Sequence, residues 1–139
     1  MRYSAAAVLT VDDRYVLQLR DNSAAIAFPG HWGLFGGEVK QGETPLEAIR
    51  REIHEELTLD VLRWCELGVF PYHSVSGEPS RSVVFVADIS TLWTTHILRE
   101  GQAVGLFQIG ELPTPIIPLA LALVSRYQAT RAARVTRRG

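Results

Sequence analysis

Residues 37–59 read GEVKQGETPLEAIRREIHEELTL, and the centre of this stretch predicts a helix. Thr44 supplies a capping hydroxyl, Pro45 suits the first helical position, and Glu47 stands where a capping box requires an acid. Apolar residues then recur at spacings of three and four, which predicts that one face is buried against a core. These residues are Leu46, Ile49, Ile53 and Leu57.

Three glutamates, Glu52, Glu55 and Glu56, share one side of this helix within an arc of about 100°. Like charges at these spacings repel one another by roughly 0.2–0.5 kcal/mol per pair, and they also oppose the helix dipole. A divalent cation would offset the repulsion. Mg²⁺ is the natural candidate, with Mn²⁺ as an alternative, because it takes oxygen ligands and is commonly shared with substrate phosphates. The competing interpretation is a solvated acidic face paired with Arg50 and Arg51.

The wider spacing of polar residues favours the metal site. Five residues separate Gly37 from Glu43, and seven more precede Arg51-Glu52, with Glu55-Glu56 close behind. This closely resembles the Nudix box, Gly-x5-Glu-x7-Arg-Glu-U-x-Glu-Glu-x-Gly-U, in which U is a bulky aliphatic residue. Over residues 37–59 the chain is therefore similar to MutT-like members of the Nudix hydrolase family.

One position departs from the box, since Thr58 stands where the family has Gly. Glycine suits a left-handed conformation that ends a helix, whereas a β-branched residue resists it. We therefore expect the helix exit to differ here. The carboxylates all lie upstream of Thr58, so the expected metal site is less affected than the local geometry.

The resemblance implies a Nudix fold, an α/β/α sandwich with a mixed sheet and a loop-helix-loop metal site. Glu52 and Glu56 match the principal metal ligands, and Glu55 matches a position that either binds metal or helps activate water. The backbone carbonyl of Gly37 matches a further metal contact. Two more box positions, Glu43 and Arg51, match a pair that orients the loop and helix without taking part in chemistry.

Residues outside the box are weaker candidates. Glu100 matches a late-loop glutamate that serves many Nudix enzymes as an extra ligand or base, although it could equally be an exposed loop acid. Arg20, at a predicted strand end, could bind a phosphate or simply be solvated. Trp32 and Phe35 could stack on a nucleobase, although core packing is the commoner use of such aromatics.

The remaining elements predict helices packed on a mixed sheet. Strands are expected at Ala5–Val11, Tyr15–Leu19, Val61–Val75, Val83–Ile89 and Val104–Ile109, with a hairpin loop at Ser76–Ser80. A final helix is expected between about Pro115 and Thr130. The last nine residues hold four arginines and no acid, which indicates a disordered basic tail.

Composition limits the class of protein. A chain of 139 residues favours one domain, taken as residues 1–130 followed by the tail at 131–139. The net charge of −1 argues against nucleic acid as a partner. The single cysteine, Cys65, excludes an intramolecular disulfide, and no segment reads as a membrane span or signal peptide, so a cytoplasmic protein is expected. A homodimer is possible, but no residue demands one.

The function expected from the resemblance is Mg²⁺-dependent hydrolysis of a diphosphate bond in a nucleoside diphosphate linked to another group. Nucleoside triphosphates, nucleotide sugars and ADP-ribose remain open as substrates. Glu52, Glu55, Glu56 and Glu100 are the candidate catalytic residues, with Glu55 or Glu100 as the base. One alternative is a catalytically silent nucleotide-binding or sensor module. A less favoured alternative is a non-hydrolytic isomerase of the same fold, which would require an additional catalytic cysteine in the loop region.

Overall fold

The computed structural model describes residues 2–74 and 77–138, and its strands form one seven-stranded mixed sheet between two helices. In chain order the strands are β1 (Arg2–Val11), β2 (Arg14–Leu19), β3 (Trp32–Gly33), β4 (Phe35–Glu38), β5 (Cys65–His73), β6 (Pro79–Asp88) and β7 (Ala103–Phe107). The helices are α1 (Pro45–Leu57) and α2 (Pro118–Arg138), and short 3₁₀ turns occupy Trp93–Thr95 and Ile109–Glu111. The predicted α/β sandwich is confirmed.

β1 is the central strand of the sheet. Its residues 2–10 pair in parallel with residues 80–88 of β6, and its opposite edge pairs antiparallel with β2 and β4. Alternate side chains of β1 point to opposite faces. Leu9 packs in the cluster that contains α1, whereas Val8 packs in the cluster that contains α2. The sheet therefore carries a separate apolar core on each face.

The start of α1 is the predicted capping box. The Thr44 hydroxyl accepts from the Glu47 N–H at 3.1 Å, and the Glu47 carboxylate accepts from the Thr44 N–H at 2.9 Å. The side chains that α1 buries against the sheet include Ala48, Ile49, Ile53 and Leu57. The prediction for Leu46 is wrong: this residue is 43% exposed, and Ala48 is the first residue of α1 that is buried in the core.

The end of α1 contradicts the expectation for Thr58. Thr58 adopts the left-handed conformation, with φ 60° and ψ 35°, so the helix ends as it would with glycine. The Thr58 N–H donates to the His54 carbonyl at 3.0 Å, and the hydroxyl is bonded to the segment that follows the first 3₁₀ turn. These bonds offset a conformation that costs a β-branched residue of order 1–3 kcal/mol.

α2 is longer than predicted, because it continues past Thr130 to Arg138. Residues 131–138, expected to form a disordered tail, are described as helix, Gly139 lies outside the described residues, and the domain boundary at residue 130 stays a prediction. Within this extension the Arg131 guanidinium hydrogen bonds to the Asp13 carboxylate and lies 5.7 Å from the centroid of the Tyr127 ring. The hydrogen bond to Asp13 joins the extension to the β1–β2 turn.

Two further expectations for the sheet need adjusting. The strand expected at Val61–Val75 begins at Cys65, whose side chain is exposed, and ends at His73, while Val75 lies outside the described residues. Of the loop expected at Ser76–Ser80, Ser76 lies outside the described residues, and Pro79 and Ser80 already belong to β6. Within residues 2–74 and 77–138, neither helix is long and apolar enough to cross a membrane. The cytoplasmic location stays a prediction.

The capping box yields a test of how α1 is held. Replacing Thr44 by Ala removes the hydroxyl that accepts from Glu47, and we expect the free energy of unfolding to fall by about 1 kcal/mol. Urea denaturation followed by circular dichroism measures the change. Thr44→Ser keeps the acceptor and serves as the control. Equal stability of Thr44→Ala and the wild type would contradict the assignment of the cap.

Candidate functional site

The acidic side of α1 lies against the glycine pair of β4, Gly36 and Gly37. Glu56 is 4% exposed, and its carboxylate accepts a hydrogen bond from the Gly36 N–H at 3.2 Å. Gly36 is so close to β1 that a Cβ there would overlap the carbonyl oxygen of Ala5. A Cβ at Gly37 would displace the carboxylate of Glu52. The absence of side chains therefore allows the glycine pair to approach the acids.

The environment of Glu56 strongly disfavours a negative charge. Burial, followed by the nearby charges of Glu52 and Glu100, raises the pKa of Glu56 to about 9, although the Gly36 N–H acts in the opposite direction. Without a compensating positive charge, this carboxyl group is therefore protonated at neutral pH. A buried acid beside two other acids is expected where a cation binds or where a proton is handled.

Arg51 is the positive group that the structure places beside the acids. Its Nε and Nη2 donate to the two carboxylate oxygens of Glu43 at 2.8 and 3.0 Å, which makes a bidentate pair. These hydrogen bonds are the main reason that the pKa of Glu43 is lowered to about 2. Nη1 donates to Glu52 at 2.8 Å and lies 3.3 Å from an oxygen of Glu55. The predicted orienting pair is thus in direct contact, and its arginine also contacts two of the predicted ligands.

The donor set suits a hard divalent cation, since it consists of carboxylates and backbone oxygens. Within the described residues, no three His, Cys, Asp or Glu side chains are spaced to enclose an ion as they stand. Glu52 and Glu55 instead face the guanidinium of Arg51. An ion beside Glu56 would therefore compete with Arg51 for the carboxylate of Glu52.

Glu100 reaches this cluster from a distant part of the sequence. Its carboxylate lies near that of Glu56 and is one of the groups that raise the pKa of Glu56. The Glu100 carbonyl accepts from the Gln18 side-chain amide at 2.9 Å, which attaches the turn before β7 to β2. The structure therefore brings the four predicted catalytic glutamates together on and beside the C-terminal half of α1.

A cleft of about 970 Å³ opens beside the glycine pair and contains Gly37 in its wall. Arg20 lines this cleft, and its Nε donates to the Ala27 carbonyl at 2.9 Å. Aromatic and apolar side chains supply much of the remaining wall, among them Tyr3, Phe28, Tyr72 and Ile117. Mostly apolar walls with a few charged groups are typical of a small-molecule site. Gly37 connects the cleft to the acids, since it lines the cleft and also lies against the carboxylate of Glu52.

The structure corrects the prediction for the aromatic residues. Phe35 is 0% exposed in the core under α1, so it cannot contact a ligand. Trp32 packs edge-on against Phe107, with ring centroids 5.0 Å apart, and is not among the described residues that line the cleft. Both rings pack in the apolar clusters because β3 and β4 place them between the sheet and its helices.

Sequence reasoning missed the aromatic residues that do line the cleft. Phe28, 46% exposed, lies in the irregular stretch before β3, where its position beside Pro29 and Gly30 was a usable signal. Tyr3 and Tyr72 come from β1 and β5, strands that are joined through β6. Their proximity depends on strand register, which the sequence pattern alone does not determine.

The raised pKa of Glu56 predicts an unusual dependence of stability on pH in the metal-free protein. The folded state keeps the proton up to about pH 9, whereas the unfolded chain releases it near the ordinary value of 4.5. The stabilising contribution is therefore fully present below the unfolded pKa and is lost as pH rises between these values. We expect Tm to decline over this range in the wild type and to decline less in Glu56→Gln.

Thermal unfolding in EDTA at several pH values checks this expectation. Glu66→Gln removes an exposed acid on β5 and is the matched control, because it should keep the slope of the wild type. Parallel curves for Glu56→Gln and the wild type would contradict the assignment of this slope to Glu56.

Comparison with known proteins agrees with the geometry. The family model of the NUDIX domain matches residues 1–124. The nucleoside triphosphatase NudI of Enterobacter sp. (strain 638) is 63% identical over 30 residues, which make up 22% of this chain and 21% of that protein. NudI of Salmonella arizonae is 51% identical over 47 residues, 33% of this chain and 32% of that protein. The matches thus span a fifth to a third of the length of these curated relatives.

Solved structures share the architecture. The MutT NUDIX hydrolase from Burkholderia pseudomallei superposes with a TM-score of 0.74 at 26% identity, over 90% of this chain and 96% of that one. Nudix proteins generally use divalent metal ions. Because the NUDIX model covers most of the chain, the resemblance found in residues 37–59 is confirmed, and this chain belongs to the Nudix family.

Proposed function

We propose that this protein is a Mg²⁺-dependent pyrophosphohydrolase that cleaves a diphosphate bond in a nucleoside diphosphate linked to another group. The observation that carries the proposal is the buried carboxyl of Glu56, which lies beside Glu52 and Glu100 and next to a glycine pair whose Gly37 borders the cleft. The names of the NudI relatives make nucleoside triphosphates the first substrates to test. Mn²⁺ takes similar ligands and is expected to substitute for Mg²⁺.

In this proposal Glu52, Glu55 and Glu56, with the carbonyl of Gly37, hold the ion, and Glu100 is an extra ligand or a base. When bound, a divalent ion supplies positive charge that stabilises the phosphate oxygens during displacement. Glu56 would release the proton that it holds in the protein alone when it becomes a ligand of the ion.

The chain's own residues would then handle the proton and orient the substrate. A carboxylate, Glu55 or Glu100, accepts a proton from the water whose oxygen attacks phosphorus. As that bond forms, the bond from phosphorus to the bridging oxygen breaks, and the leaving phosphate takes the electron pair. Arg20 lines the cleft, which supports its proposed role of pairing with a phosphate of the substrate. Glu43 and Arg51 orient the loop and helix.

A catalytically silent nucleotide-binding module is the second candidate. The observation that favours it is the pairing of Glu52 and Glu55 with Arg51, which leaves no ready three-ligand set among the described residues. The two candidates differ in turnover, since a binding module would be stabilised by nucleotide without releasing product.

Turnover distinguishes the two candidates. We expect Mg²⁺-dependent release of phosphate products from one class in a panel of nucleoside triphosphates, nucleotide sugars and ADP-ribose. Glu56→Gln should lower kcat by about 100-fold or more, because it removes a charged ligand of an ion that contributes several kcal/mol to the transition state. Glu66→Gln, on β5, is the control and should keep full activity. No turnover with any member, together with a higher Tm in the presence of a nucleotide, would favour the binding module.

The aromatic wall of the cleft yields a second test. Phe28 and Tyr3 are both 46% exposed, and in this proposal their rings stack on the nucleobase. Phe28→Ala should raise KM by about 10-fold with a smaller change in kcat, since stacking of a base is worth roughly 1–3 kcal/mol. Leu62→Ala removes an exposed apolar side chain outside the cleft and is the control. An unchanged KM in Phe28→Ala would contradict this role.

A further inference from the structure

The segment 97–102 bridges the end of α1 and the end of β2, and it carries Glu100. On the α1 side, the Ile97 N–H donates to the Leu57 carbonyl at 2.9 Å, and the Arg99 N–H donates to the Glu56 carbonyl at 2.8 Å. These bonds satisfy carbonyl groups that a helix end leaves without partners. The segment is therefore attached to the same turn of α1 that holds Glu56.

The Thr58 side chain adds two bonds to this attachment. Its hydroxyl donates to the Ile97 carbonyl at 3.2 Å and accepts from Arg99 Nε at 2.9 Å. Both partners lie within three residues of Glu100. We propose that Thr58 is a positioning residue that holds Glu100 against Glu56, an inference that rests on the proposed function.

The β2 side of the segment is held without Thr58. The Gln102 N–H donates to the Leu19 carbonyl at 2.8 Å, and the Gln18 side-chain amide donates to the Glu100 carbonyl at 2.9 Å. Gly101 allows this approach, because its φ is 84° and a Cβ there would lie 2.7 Å from the Leu19 carbonyl oxygen. The Thr58 side chain thus contributes two of the hydrogen bonds at one end of the segment, and the other end, held without Thr58, serves as an internal reference.

The conformation of Thr58 supports a role for its hydroxyl. A β-branched residue is disfavoured at φ 60°, where glycine is unstrained. Glycine at this position would keep the helix end and lose both side-chain bonds. Thr58→Gly therefore removes the hydroxyl while the left-handed backbone conformation is kept. The stability gained by relief of backbone strain in this variant opposes the stability lost with the two hydrogen bonds.

The test combines Thr58→Gly with Glu100→Gln. We expect Thr58→Gly to lower kcat by about 10-fold with little change in KM, because a small displacement of a catalytic group costs rate. Thr58→Ser keeps the hydroxyl and should restore most of the activity. In the Glu100→Gln background, Thr58→Gly should cause no further loss, since the two residues act through one group.

Amide hydrogen exchange supplies a measurement that needs no turnover. In Thr58→Gly the Arg99 amide should exchange about 10-fold faster, whereas the Gln102 amide, held from β2, should keep the wild-type rate. The inference is overturned if kcat is unchanged in Thr58→Gly, if the same loss recurs in the Glu100→Gln background, or if Arg99 exchange is unchanged.

The proposed function fails separately, if the wild type hydrolyses no nucleotide. In that case the exchange rate of the Arg99 amide still decides whether Thr58 holds the segment. Faster exchange confined to Arg99 would support the positioning, and equal exchange would refute it.

Discussion

The approach of the β4 glycine pair to the buried carboxyl of Glu56 is the constraint on which the site depends. Burying a carboxyl group is costly unless it is hydrogen-bonded, neutralised or paired with a cation. Here the Gly36 N–H supplies one hydrogen bond, and the raised pKa of Glu56 keeps the group neutral in the protein alone. The arrangement needs β4 to lie close to both β1 and α1, which a side chain at Gly36 would prevent and one at Gly37 would disturb.

Local chemistry in the sequence predicted α1 and its acids well. The capping box and the apolar positions Ile49, Ile53 and Leu57 depend on residues close in the chain, whereas the contact between Glu43 and Arg51 was implied by the Nudix resemblance. Such interactions follow from helical periodicity and from a few side-chain hydrogen bonds. The spacing of the Nudix box also indicated the family, because all of its residues lie in one continuous stretch of the chain.

Long-range geometry was the part that the sequence could not supply. Phe35 and Phe28 are both aromatic residues near glycines, yet one is in the core and the other lines the cleft. Their environments depend on which face of β4 points to α1 and on where the preceding loop returns to the sheet. The left-handed Thr58 was missed for the same reason, since its partners Ile97 and Arg99 lie 39 and 41 residues away.

The parallel pairing of β1 with β6 has a consequence for folding. These central strands lie far apart in sequence, and the acidic helix belongs to the chain between them. Closing so long a segment costs entropy before the pairing contributes any stability. During synthesis the residues of α1 are therefore made before the parallel partner of β1. The apolar residues of the helix lack their packing against Val83, Phe85 and Ala87 until Ser80–Asp88 has joined the sheet.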